Sequence, residues 1–274
     1  MINYTHYLNQ LGITSPLPVN LATLKQLQKL HLERYAFQCL SSVLHHPISL
    51  EEDDIYQKVI VERKGGYCFE LNLLLMHLLC HLGFDVQFHS AKIVHNNEPF
   101  AEHAYTHGFL LVTLDGQEYV VDIGYGGFNP TEPLRLNTEE VQETEYGNYK
   151  ITPYEQGYYL AIQQGSEWRI LYAFYKCPQY MPDLIVKNWY VSTHPDSPFR
   201  TRLIASRIEN GLRHNLLNNR YTVHLLNGEK NVTYFSSAED VLALLEKQFL
   251  IHITDDIVKD IDQFLQKYGF NRNN

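Results

Sequence analysis

Apolar residues recur every third position from Leu21 through Leu24 and Leu27 to Leu30, with polar residues between them and Asn20 in front as an N-cap. This predicts an amphipathic helix from Asn20 to about Tyr35. The acids of Leu50-Glu51-Glu52-Asp53-Asp54-Ile55 open a second, short helical pattern, placed where a helix N-terminus favours negative charge. From Phe69 to Leu82 the chain is apolar on nearly every face, which predicts a central buried helix stopped by Gly83. After Gly83 the period changes to two. Val86, Phe88, Tyr105, Phe109, Leu111, Tyr119 and Val121, then Tyr159 to Ile162 and Trp168 to Phe174, read as strands of a β-rich unit reaching about Tyr190. Ser192 to Pro198 reads as a linker, because its prolines and small polar residues resist helix and sheet alike. A mixed unit follows, with capping-box spacing at Ser236-Ser237-Ala238-Glu239 and a last helix that aligns Ile257, Ile261, Phe264, Leu265 and Tyr268.

Composition narrows the classes. At 274 residues and 45% hydrophobic content, the chain has ample material for two or three compact units. Its 22 Lys plus Arg face 31 Asp plus Glu, a net charge of -9, which disfavours a nucleic-acid binder because phosphate contact needs clustered cations. Locally the balance reverses: Phe199 to Lys230 holds Arg200, Arg202, Arg207, Arg213, Arg220 and Lys230 against Glu209 and Glu229, either a solvated surface or a seat for an anionic ligand. Cys39, Cys68, Cys80 and Cys177 form no C-x-x-C pair and read as reduced thiols. Met1 to His6 lacks a basic start and an apolar core, and no stretch reaches the roughly 18 apolar residues of a membrane span. A cytoplasmic protein is expected, with neither nucleic acid nor membrane as a partner.

Cys68 follows the softened turn Gly65-Gly66 and opens the apolar helix. Unpaired N–H groups and partial positive charge at a helix N-terminus favour thiolate over thiol, so the position suits a nucleophile. A buried cysteine packing as a small hydrophobe is the competing reading. A cysteine nucleophile needs a base, and the base needs a group to orient it. Asp115-Gly116 marks a hairpin between His107–Leu114 and Gln117–Gly124. If Leu114 pairs with Gln117, Phe109 lies opposite Asp122 and His107 opposite Gly124. His107 and Asp122 then become diagonal neighbours on one face, with backbones roughly 7 to 8 Å apart, and the small Gly124 leaves room for the imidazole. Cys68, His107 and Asp122 together make a candidate nucleophile, base and orienting carboxylate.

These segments resemble the arylamine N-acetyltransferase family. Gly65, Gly66, Cys68, Glu70 and Asn72 fit the family's R-G-G-x-C-x-E-x-N signature. His-Gly-Phe-Leu-Leu-Val and Val-Asp-Ile-Gly-Tyr-Gly-Gly are similar to its histidine and aspartate segments, and Asn188 to Leu203 to its interdomain stretch. The resemblance implies an α+β fold with a cysteine-protease-like core: a helical bundle over 1–83, an antiparallel β-barrel over 84–190, an interdomain segment over 191–210 and an α/β lid over 211–274. It implies acetyl-CoA as acyl donor, an arylamine or arylhydrazine as acceptor, no metal, and ping-pong transfer through Cys68 with His107 and Asp122. It also places Ile93 and the loop of Gly124, Tyr125, Gly126, Gly127 and Phe128 near acceptor or CoA, and Thr106 and Gly108, which flank His107, are candidates for touching CoA. Two departures stand out. Lys64 replaces the usual arginine before the glycine pair, and Ala36-Phe37-Gln38-Cys39 replaces P-F-E-N, which predicts a rebuilt support for this region.

Two other readings remain. A thiol hydrolase of papain or transglutaminase type uses the same triad with water as acceptor. A metal-binding protein would draw on His89, His95, Glu102, His103 and His107, although His103 and His107 on one strand lie roughly 13 Å apart, too far to share an ion.

Overall fold

Side-chain caps set where the first helices begin. In the computed structural model, which describes residues 2–94 and 103–270, Asn3 and Asn20 accept the backbone N–H groups of His6 and Thr23 and so open α1 (Tyr4–Gln10) and α2 (Leu21–Arg34). The strand β1 (Phe37–Gln38), then α3 (Leu40–Val43) and α4 (Glu52–Tyr56), follow, and α4 runs on into a π-helical turn at Gln57–Val61. α5 (Cys68–Leu82) is buried along most of its length and ends at Gly83, whose φ of 93° only glycine adopts readily.

Alternation then takes over. The strands β2 (Asp85–Ile93), β3 (Tyr105–Leu114), β4 (Gln117–Val121), β5 (Leu134–Arg135), β6 (Gln142–Thr144), β7 (Gly147–Tyr154), β8 (Gly157–Gln164) and β9 (Glu167–Pro178) form one antiparallel sheet in the order β5-β4-β3-β2-β9-β8-β7-β6. It curls into a nearly closed barrel, with β5 against β7, around Phe109, Val120, Tyr149, Leu160, Tyr172 and Phe174. The β3–β4 turn has φ of 50° at Asp115 and 76° at Gly116, the positive pair a type I′ hairpin requires, and it pairs Leu114 with Gln117 as the Asp-Gly signal predicts.

The β pattern ends at Pro178, not near Tyr190. α6 (Met181–Thr193) occupies the segment expected to finish the β unit and begin the linker. Asp183 accepts the Tyr180 N–H at 3.1 Å, a proline stands in the first turn, and Leu184, Asn188, Val191 and Ser192 face inward at helical spacing. β10 (Ile204–Glu209) begins within the expected interdomain segment and joins β11 (Leu212–Leu217), β12 (Arg220–His224) and β13 (Lys230–Tyr234). β1 pairs with β10, so residues from the helical unit form the far edge of this second sheet. α7 (Ala238–Lys247) is capped by Ser237 and Asp240, one residue later than the Ser236/Glu239 spacing, and α8 (Asp255–Phe264) closes the lid. Ala36, Leu40, Val43 and Leu44 share a core with Leu203, Val241, Leu245, Phe249 and Ile261, so the segment after α2 is packed with the lid. The architecture is α+β. Among the described residues no helix is long and apolar enough to cross a membrane.

Candidate active site

Cys68 is the first residue of α5, and β3 and β4 bring His107 and Asp122 against it. All three are sealed, at 2%, 3% and 0% exposure. His107 Nε2 lies 2.7 Å from Asp122 Oδ2, the Cys68 thiol is near enough to act on the ring electrostatically, and its sulfur is 3.9 Å from the Thr106 carbonyl. With Nε2 committed to the carboxylate, Nδ1 is the nitrogen left for the thiol. Burial pulls the imidazole toward its neutral form, but the charge and hydrogen bond of Asp122, then Cys68, outweigh it and push the pKa up to about 10. The pairing therefore favours the protonated ring.

The ladder between β3 and β4 stops at the Leu110–Val121 pair, so the expected pairings of Phe109 with Asp122 and of His107 with Gly124 do not form. Asn72, from the second turn of α5, replaces them. Its Nδ2 donates to the Gly108 carbonyl at 2.7 Å and to Asp122 Oδ1 at 3.2 Å, while its Oδ1 accepts the Ile123 N–H at 3.1 Å. The Gly124 N–H donates to Asp122 Oδ1 at 2.8 Å, giving the buried carboxylate a third donor beside His107 and Asn72. Gly124 serves the helix more than the imidazole: a Cβ there would stand 2.6 Å from the Cys68 Cα and 2.7 Å from Asn72 Nδ2. The strand end can pass the nucleophile's helix only as glycine.

The loop after Asp122 is tied from both sides. Asn129 Oδ1 accepts the N–H groups of Tyr125 at 2.5 Å and Gly126 at 3.3 Å, and Gln28 donates to the Pro130 carbonyl at 2.8 Å. From the lid, buried Arg213 donates to the Asn129 carbonyl at 2.9 Å and to the Tyr149 hydroxyl at 2.7 Å, and that hydroxyl donates to the Phe128 carbonyl at 3.1 Å. Tyr125 meets the His107 ring edge-on at 5.6 Å, and Tyr172 lies 5.0 Å from the same ring. Gly126, with φ of 93°, packs on Phe37, and Gly127 lies under Asn215. Phe128 stands between Arg169, 5.2 Å from its ring, and His224, at 5.4 Å. Beside it runs a groove of about 500 Å³ to which Arg169, Arg202, Arg220 and Lys230 contribute, and none of its described lining residues is acidic.

Residues 20–258 match the family model described as N-acetyltransferase. The chain is 34% identical over 259 residues to an arylamine N-acetyltransferase of Mycolicibacterium smegmatis, covering 93% of this chain and 94% of that one. It is 30% identical over 255 residues to one of Escherichia coli K12, covering 91% and 89%. A Mycobacterium marinum arylamine N-acetyltransferase solved in complex with CoA superposes with a TM-score of 0.92 at 31% identity, over 98% of this chain and 100% of that one. The chain belongs to the arylamine N-acetyltransferase family. It is accordingly an acetyltransferase.

Behind the glycine pair, Gln38 and Lys64 each have their own partners. Gln38 Nε2 donates to the Lys64 carbonyl at 2.9 Å, its Oε1 accepts the Leu40 N–H, and Lys64 pairs with Glu62 at 2.8 Å. Of the residues assigned to acceptor or CoA, Ile93, Tyr125 and Phe128 gather on the barrel core, and Thr106 lies beside the thiol. Gly108 does not join them. A Cβ there would stand 2.5 Å from Phe88 of β2 and 3.0 Å from Phe69 of α5, so packing against these two rings accounts for this glycine. The sequence assigns no role to Gln28, Tyr149 or Tyr172, whose partners are distant in the chain, or to Asn129, whose side chain ties the loop locally to Asp122, Tyr125 and Gly126. Asn72 and Arg213 were visible only as a motif member and as one cation among several. Of the metal candidates, His95 and Glu102 lie outside the described residues.

Proposed function

We propose that this acetyltransferase moves acetyl from acetyl-CoA to the nitrogen of an arylamine or arylhydrazine through a thioester on Cys68. The observation that carries the reading is the His107 ring held between the Asp122 carboxylate and the Cys68 thiol. Cys68 attacks the acetyl carbonyl carbon as thiolate, and a sulfur–carbon bond forms. The tetrahedral intermediate expels CoA, whose sulfur takes the His107 proton. The acceptor nitrogen then attacks the acetyl-enzyme, the Cys68 bond breaks, and the proton lost by nitrogen returns to His107. Backbone N–H groups in the first turn of α5 are of the kind the oxyanion needs. Tyr125, edge-on to His107, supplies an aromatic wall for the acceptor.

The acid-free groove supports a place for the donor: the phosphates of CoA against Arg169, Arg202, Arg220 and Lys230, and the pantetheine arm running past Gly127 and Phe128 toward Cys68. Relatives named as arylamine N-acetyltransferases, and a CoA complex of one of them, support both substrates. Mixing the protein with acetyl-CoA alone and mapping it by mass spectrometry tests the reading. One acetyl group is expected on Cys68, lost on adding an arylamine and never formed in Cys68→Ala. Acetylation elsewhere, or transfer without an acetyl-enzyme, overturns it.

A further inference from the structure

The first turn of α5 carries a charge of the wrong sign for an anionic sulfur. Glu70, at its third position, accepts the Tyr67 N–H at 3.1 Å and so caps the helix. A buried carboxylate two residues from Cys68 also opposes a second negative charge there. Lys58 meets it: its Nζ lies 2.6 Å from Glu70 Oε1 and donates to Ser41 Oγ at 3.1 Å. Lys58 belongs to the π-helical turn Gln57–Val61, and its carbonyl accepts the Lys64 N–H at 3.0 Å, which ties that turn to the glycine loop leading into Cys68.

Two other ion pairs lie near this helix end. His107 and Asp122, from the barrel, pair at 2.7 Å, and Lys64 and Glu62, from the preceding loop, at 2.8 Å. Glu52 of α4 faces Tyr4 and His77, beyond the first turns of α5, and Tyr67 directs its hydroxyl to Asn188. Glu70 is the acid of the first turn, and Lys58 is the cation on it. The pair is 19% and 2% exposed, so solvent screens it little.

We propose that Lys58 is a positioning residue for the nucleophile: by pairing with Glu70 it cancels the carboxylate built into the first turn of α5, so the helix end presents Cys68 with a net positive potential. The inference rests on Cys68 being the nucleophile and adds a residue to its activation. Loss of Lys58 leaves Glu70 uncompensated, loss of the Glu70 charge leaves Lys58 in excess, and loss of both restores the balance.

The test is the rate of iodoacetamide alkylation of Cys68 against pH, followed by peptide mapping because Cys80 and Cys177 are exposed. Lys58→Gln is expected to move the Cys68 profile to higher pH and slow alkylation at neutral pH roughly three- to fivefold. Glu70→Gln, whose amide oxygen still caps Tyr67, is expected to move it to lower pH. The double variant should return close to the native profile, and Lys58→Arg should keep it. Thermal melts confirm that each variant is folded, and the charge-preserving Lys58→Arg and Glu70→Gln arms decide the matter should Lys58→Gln unfold. Single variants that shift in the same direction, or a double variant as slow as Lys58→Gln, overturn the proposal while leaving Cys68 as nucleophile. If native Cys68 reacts no faster at neutral pH than an ordinary thiol, the acyl-transfer reading fails and takes this inference with it.

Discussion

His31 in the helical bundle and His107 beside Cys68 are both sealed from water, yet they are driven in opposite directions. His31 donates from Nδ1 to the Leu27 carbonyl at 2.6 Å and accepts the Tyr7 hydroxyl at Nε2, 2.5 Å away; burial pushes its pKa down to about 4. His107 suffers the same burial, but Asp122 and Cys68 push its pKa up to about 10. The largest difference between the two environments is the Asp122 carboxylate, with the Cys68 thiol second, and that carboxylate stays where it is because Asn72 and the Gly124 N–H also donate to it. Burial alone makes a structural histidine. Burial with a fixed anion makes one that holds a proton in reserve.

The sharpest way to break this comparison is Asp122→Asn. Acetyl uptake from acetyl-CoA is expected to fall by about two to four orders of magnitude. By NMR, the His107 pKa should then fall well below about 10, in the direction that burial drives His31. Unchanged uptake would remove Asp122 from the site.

Stability should carry both signatures. His107 has a raised folded-state pKa, so its contribution is complete below about 6.5 and is lost as pH rises toward about 10. His31 has a lowered one, so the unfolded chain binds its proton first, and stability falls as pH drops from about 6.5 toward 4. Denaturant melts across pH are expected to lose the alkaline slope in Asp122→Asn and the acid slope in His31→Gln. Exchanged or unaltered slopes would count against the contrast.

Tyr7→Phe sharpens the comparison from the other side. It removes the hydroxyl from His31 Nε2 and should lower stability by roughly 1 to 2 kcal/mol while acetyl transfer per folded molecule stays unchanged. An activity loss exceeding the loss of folded protein would mean that the two histidines are coupled. The smallest effect is expected where charges are open to water. Arg220→Gln with Lys230→Gln should raise the KM for acetyl-CoA roughly three- to tenfold, less in high salt, with kcat nearly unchanged. A kcat collapse instead would tie these cations to the chemistry.

Legibility followed the range of the interaction. The Asn20 cap, the Gly83 stop and the Asp115-Gly116 turn depend on neighbours within a few residues, and each was readable in place. α6 shows no legible stripe in the sequence because its inward positions, Leu184, Asn188, Val191 and Ser192, are mixed with the exposed Ile185, Val186 and Trp189. The capping residue of α7 was displaced by one because Ser236 and Ser237 are locally equivalent, and only the path of the chain chooses between them. The pairing of β1 with β10 joins residues 37–38 to 205–206, and no local pattern announces it.

What the chain itself determined was the identity and order of its reactive groups and the hairpin register from the Leu114–Gln117 pair to the Leu110–Val121 pair, short of His107 and Asp122. These follow from side-chain chemistry and from a turn whose geometry is local. What only the folded molecule decided was their state: which nitrogen of His107 faces the sulfur, how Asn72 takes over where the ladder stops, and which lid cations are buried ties and which line a groove. Protonation and orientation depend on burial and on partners tens of residues away, and those exist only once the barrel, the helix and the lid have closed on one another.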